Sequence, residues 1–230
     1  MRWLLIPLAV IPAPALADLT AVYGKPGTNF EMKVEIASNG NVHGDMPGQA
    51  GNSIFTLGGE GYFVEPGPSG PIVMRVEDMA TVLGEQIAKL GPQFRPSLDH
   101  TPTRQFVHKG TATVNGRTGA AFFAQSRDGR LSPRPWVVIS DDPALTPLAR
   151  AMAGQFDMSM RMMAKSIGDA AVKPMQEILK TGAPIVFTGA ELQTVTFDPI
   201  PVSHFELPAK PASLENVRKQ MMPVAVRPAR

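Results

Sequence analysis

The chain has 230 residues, with 22 Lys plus Arg against 20 Asp plus Glu, and it contains no cysteine. Charge this close to balance excludes a nucleic-acid face, which needs a concentrated excess of cations. The missing cysteine excludes thiol catalysis, thiolate metal sites and disulfide exchange.

The N-terminus opens Met1-Arg2, continues with an apolar run from Trp3 to Ile11, and ends Ala15-Leu16-Ala17 before Asp18. A charged start, a short apolar stretch and a small-x-small end predict a signal peptide over residues 1–17. The run is shorter than the ~20 apolar residues of a spanning helix, and no later segment approaches that length, so no integral membrane protein is expected. No cysteine stands at the cleavage point to take a lipid anchor. The expectation is a mature chain that begins at Asp18 and resides in the periplasm or outside the cell.

Residues 18–230 read as one α+β domain, with a loose basic tail from about 222. Phe30–Ile36 is apolar at every even position and charged at every odd one, the mark of a half-buried antiparallel strand. On that pattern Glu31 and Glu35 share an exposed face. Asn39-Gly40 turns the chain into a strand over 41–46, and further strands are expected at 53–57, 61–64 and 71–76. Met79, Val82, Leu83, Ile87 and Leu90 share one helical face, and Gly91-Pro92 ends that helix. A Pro-rich loop covers 92–104. Asn115-Gly116 joins strands 105–114 and 117–125, and Asp128-Gly129 leads to a strand over 131–139.

Asp141 or Asp142 caps the long helical region that follows, with Pro143 in its first turn. Its apolar stripe runs from Leu145 through Phe156, Met160, Met163 and Ile167 to Ile178, with Gly168 and Pro174 set to split or kink it. Thr188-Gly189 turns a last hairpin, 185–187 to 192–197. A short helix over 213–221 precedes the tail.

Four short pieces carry a resemblance: Gly110–Gly116, Trp136-Val137 with Asp141, Gly182–Ile185 and Phe205–Pro208. On these the chain resembles a family of uncharacterised periplasmic proteins whose fold is similar to the lipoprotein carriers LolA and LolB. The resemblance implies a curved antiparallel half-barrel with helices on its concave face, and an apolar ligand. The cysteine expected after the Asn-Gly turn is missing at Arg117-Thr118-Gly119, and no functional residue of the carriers maps onto a definite position.

Six of the 13 methionines lie between 152 and 175. Thioethers bind Cu(I), but at 100° per residue Met158 pairs with Met162 and Met160 with Met163, so one ion does not reach all four. Inward packing of Met160 and Met163 is the better reading, with Met158 and Met162 incidental. His43, His100, His108 and His204 each lack a second histidine three or four residues away, so no metal or cofactor is expected. His43 and Asp99-His100 each have a carboxylate nearby that could orient a base, but a solvated surface role suits both better. No Gly-x-Ser-x-Gly or Ser-x-x-Lys occurs.

The leading expectation is an exported carrier that holds a lipid or acyl chain between sheet and helices. Its expected lining is Phe122, Trp136, Phe156, Met160, Met163 and Ile167. The alternatives are a hydrolase with a non-local site, using His43 or His100, and a structural or partner-binding envelope protein with a closed core. The cleavage expectation is checked by N-terminal sequencing of the exported protein, which should read from Asp18; retention of Met1 would refute it.

Overall fold

The computed structural model describes residues 17–45, 51–89, 105–167 and 169–221, without side chains for 162–171. Residues 1–16 of the expected signal peptide, the Pro-rich loop with His100, Gly168 and the basic tail lie outside the described residues. So do the side chains of Met162, Met163 and Ile167.

The first half of the chain is a meander: β1 (Leu19–Gly24), β2 (Glu31–Ile36), β3 (Val42–Asp45), β4 (Ser53–Leu57), β5 (Glu60–Gly67) and β6 (Gly70–Arg75). Helix α1 (Val76–Lys89) follows. A second meander comprises β7 (Gln105–Val114), β8 (Arg117–Gln125), β9 (Val137–Ser140), β10 (Ala183–Phe187) and β11 (Ala190–Thr196). Helices α2 (Thr146–Ile167) and α3 (Asp169–Leu179) are inserted between β9 and β10, and α4 (Leu214–Met221) ends the described chain. All eleven strands form one curved, open antiparallel sheet in the order β6-β5-β4-β3-β2-β1-β11-β10-β9-β8-β7. The expected α+β class is therefore the observed one, with the helices on the concave face.

Turn chemistry explains much of this map. Asn115 and Gly116 have φ of 49° and 78°, and Thr188 and Gly189 have 49° and 81°. Those are the paired positive angles of two-residue hairpins whose twist matches their strands. Asp128-Gly129 works differently. Only Gly129 has positive φ, and its N–H closes a turn on Ser126 O at 2.9 Å.

Three expectations need adjustment. β1 was not among the expected strands. The strand expected over 131–139 is regular only from Val137; before it, Leu131 makes an isolated bridge to Gln125, because Pro133 and Pro135 have no N–H for a ladder. Pro174 lies inside α3 without ending it.

The central core joins both meanders. Leu19, Ala21 and Tyr23 of β1 are fully buried with Val34 and Ile36 of β2, Leu192 of β11 and Ile185 of β10. Leu145, Leu148, Ala151 and Met152 from the start of the helical region pack onto them. The Tyr23 hydroxyl donates to Pro184 O at 2.6 Å, reaching from β1 to β10, and burial pushes its pKa far up. Tyr23→Phe removes the partner of a buried carbonyl. It should lower the unfolding free energy by about 1–3 kcal/mol, read as a lower urea midpoint with unchanged slope.

Candidate functional site

Side chains alternate across a strand, so cross-strand partners share a face. Ile36 pairs with Val42 on the helix side of the sheet, while Glu35 pairs with His43, His43 with Phe55, and Phe55 with Tyr62 on the opposite, convex side. Glu35 is only 4% exposed. That corrects the expectation that Glu31 and Glu35 share a wet face; Glu31 alone is exposed.

The cover over Glu35 is a strap from the far end of the chain. His204, in a short 3-10 turn over Val202–Phe205, places Nδ1 3.1 Å from both Glu35 oxygens. Lys33 Nζ lies 2.9 Å from Oε1. His43 stacks flat on Phe55, with centroids 4.3 Å apart, and its Nδ1 sits 3.3 Å from Glu35 Oε2 without the alignment of a hydrogen bond. Its Nε2 lies 3.7 Å from Asp45. His43, expected to be solvated, and His204, expected to stand alone, thus converge on one carboxylate. Burial raises the pKa of Glu35, but its bonds to Lys33 and His204 outweigh that and hold it below the ordinary value. His108 stands elsewhere, tilted on Phe122 at 5.3 Å.

Beyond His204 the strap lays Leu207 and Ala209 on Phe55, Tyr62, Val64 and Val73. Ala212 N then donates to Val73 O of the edge strand β6 at 2.8 Å. Helix α4 follows and buries Val217 against Met74, Met79 and Val82, with Arg218 bidentate to Glu85 of α1 at 2.9 and 2.7 Å. A carboxylate that orients an imidazole is half of a general-base device. Among the described residues, however, no hydroxyl is hydrogen-bonded to His204, and no group of three ligating side chains is placed to hold a metal. What the geometry does is fasten the strap.

A different region offers space. An open cleft of about 160 Å³ lies between the end of β2, the following turn, β3 and β4 on one side and the first half of α2 on the other. Ile36, Ala37, Val42, Pro147 and Ala151 supply apolar wall; Ala17, the last residue of the expected signal peptide, also borders the cleft. Pro147, Arg150, Ala151, Gly154 and Gln155 form a single helical stripe, three and four residues apart. Two buried polar atoms in this lining, Thr56 Oγ1 and Gln155 Nε2, have no hydrogen-bond partner among the described residues. The Gln155 amide lies where a Cβ on Gly44 would crowd it, at 3.2 Å, whereas a Cβ on Gly154 would meet nothing within 4 Å.

The residues expected to line a ligand site fall at the other end of the helical layer. Phe122, Trp136 and Phe156 pack together against Val137, Ile139, Met175, Ile178 and Leu179, and Phe156 stands edge-on to Phe187. Trp136 also borders a shallow surface hollow with Arg130 and Ser132. Met160 is half-buried, and the side chains of Met163 and Ile167 lie outside the described residues. Met158, expected to be incidental, has a structural place: its thioether occupies the volume a Cβ on Gly61 would take. No protein-family model, curated protein or solved structure matches the chain.

The fastening at Glu35 has a pH signature. Its folded pKa is depressed, so its stabilisation is complete above the unfolded value near 4.5 and is lost as pH falls through the lower folded value. Glu35→Gln should lower stability at pH 7 by about 1–3 kcal/mol and flatten the acid limb of a stability–pH curve from chemical denaturation. A residual slope from Asp18, whose pKa the Ile200 and Ser38 amides hold down, should remain. An acid limb unchanged by the substitution would show that Glu35 does not fasten the strap.

Proposed function

We propose that this is an exported binding protein of the cell envelope that holds an apolar ligand, a lipid or acyl chain, between the concave face of its sheet and helix α2. Export rests on the signal peptide read in residues 1–17. The observation that carries the binding role is the cleft and its apolar walls. Ligand sites are typically clefts with mostly apolar walls. The resemblance to the LolA and LolB carriers supports the same ligand class. Among the described residues, no helix is long and apolar enough to cross a membrane.

Gly154 provides the test, because its substitution leaves the core untouched. Gly154→Ala should bind as the parent does and gain about 0.5–1 kcal/mol from helix propensity. Gly154→Trp should remain folded by circular dichroism but fill the cleft. The neutral fluorescent probe N-phenyl-1-naphthylamine should bind the parent and the alanine variant and lose affinity at least tenfold for the tryptophan variant. Equal binding by all three would place the ligand elsewhere, and no binding by any of them would favour the closed-core alternative.

A further inference from the structure

The charge of the cleft narrows its ligand. Among the described lining residues Arg150 is the one charged side chain, and no acidic residue faces it. It is exposed, while Thr56 Oγ1 and Gln155 Nε2 are sealed from solvent. The accessible part of the cleft is therefore graded, with a cation at the mouth and apolar wall within. Asp18, next to the lining residue Ala17, does not neutralise the mouth by pairing with Arg150. Its two carboxylate oxygens accept from Ser38 N at 2.7 Å and Ile200 N at 2.8 Å.

From this grading we infer that the natural ligand is a single-chain amphiphile with a carboxylate head, a fatty acid, bound with its head at Arg150 and its chain along Ile36, Val42, Pro147 and Ala151. One guanidinium matches one negative charge and pairs with a carboxylate through two parallel hydrogen bonds. A phosphate monoester carries about −1.5 to −2 at neutral pH and would leave charge uncompensated at a mouth with a single cation. A neutral alcohol or ester would leave Arg150 without a counter-ion and gain only from the walls. The inference rests on the cleft being the ligand site.

Competition for bound N-phenyl-1-naphthylamine tests it, with dodecanoate, dodecyl phosphate and 1-dodecanol as competitors. On the parent protein dodecanoate should displace the probe better than the other two. Arg150→Gln should weaken dodecanoate about fivefold, the scale of an ion pair at an exposed mouth. It should leave 1-dodecanol unchanged, and Arg150→Lys should restore part of the loss. Arg150 is exposed on α2, so neither variant threatens folding. Equal displacement by dodecanoate and 1-dodecanol, insensitive to Arg150→Gln, would overturn the carboxylate head while leaving the cleft intact. Stronger displacement by dodecyl phosphate would also overturn it. If Gly154→Trp leaves both probe and dodecanoate binding unchanged, the cleft itself is refuted and the inference falls with it.

Discussion

The pairing of β1 with β11 joins two meanders that would otherwise be separate sheets. Its partners run from Thr20 opposite Thr196 to Gly24 opposite Glu191, with one irregularity after Val22. Contacts between such distant residues carry the largest loop-closure entropy in the chain, though that cost grows only logarithmically with separation. The seam offsets it by burial: Leu19, Ala21, Tyr23 and Leu192 are fully buried, and each apolar side chain so placed contributes about 1.5–3 kcal/mol. Two polar ties set the register. The Tyr23 hydroxyl reaches Pro184 O, and the Asp18 carboxylate holds the amides of Ser38 and Ile200. The concave face, the position of α2 over it and the cleft beneath α2 all depend on this seam being closed.

The strap is the second long-range closure, and it uses charge where the first uses apolar area. A carboxylate placed on the convex face of β2 would be unremarkable if water covered it. Here residues 202–212 cover it, so Glu35 needs compensating partners, because an unpaired buried charge costs several kcal/mol. Lys33 and His204 provide them. The same segment protects the β6 edge, since a bare edge strand invites pairing with another chain. Its Ala212 N–H takes the Val73 carbonyl. The strap therefore seats a buried charge, an apolar patch and a sheet edge at once, before α4 ties the chain end to α1.

Elements defined by local signals were legible in the sequence. The Asn115-Gly116 and Thr188-Gly189 turns, the strands they join, and helices α1 and α4 follow from periods and turn residues a few positions apart. β1 was not legible, because its outward positions hold Thr20 and Val22 rather than charges, so no contrast marked a period of two. The fate of Glu35 was not legible either, since a strand pattern does not reveal that a segment some 169 residues later lies on its wet face. His43 and His204 looked isolated for the same reason: sequence spacing reports neighbours on one helix, not neighbours across strands and straps.

The position of the cleft follows from side-chain size. Where a helix crosses a curved sheet, the space between them is filled in proportion to the volumes projecting into it. At the β9–β10 end, Phe122, Trp136, Phe156 and Phe187 fill that space and bury Val137 and Ile139 of β9. Over Gly61 a single long side chain, Met158, does the same. At the β2–β4 end α2 presents Pro147, Ala151 and Gly154, and the β2–β3 turn presents Ala37 and Gly40, so the two surfaces do not fill the space between them. Large aromatic and methionine residues attract attention as ligand contacts, yet in a packed protein they are also the residues best able to close a gap. The opening lies where small residues on both walls coincide, and the sequence marks that place only by what is missing.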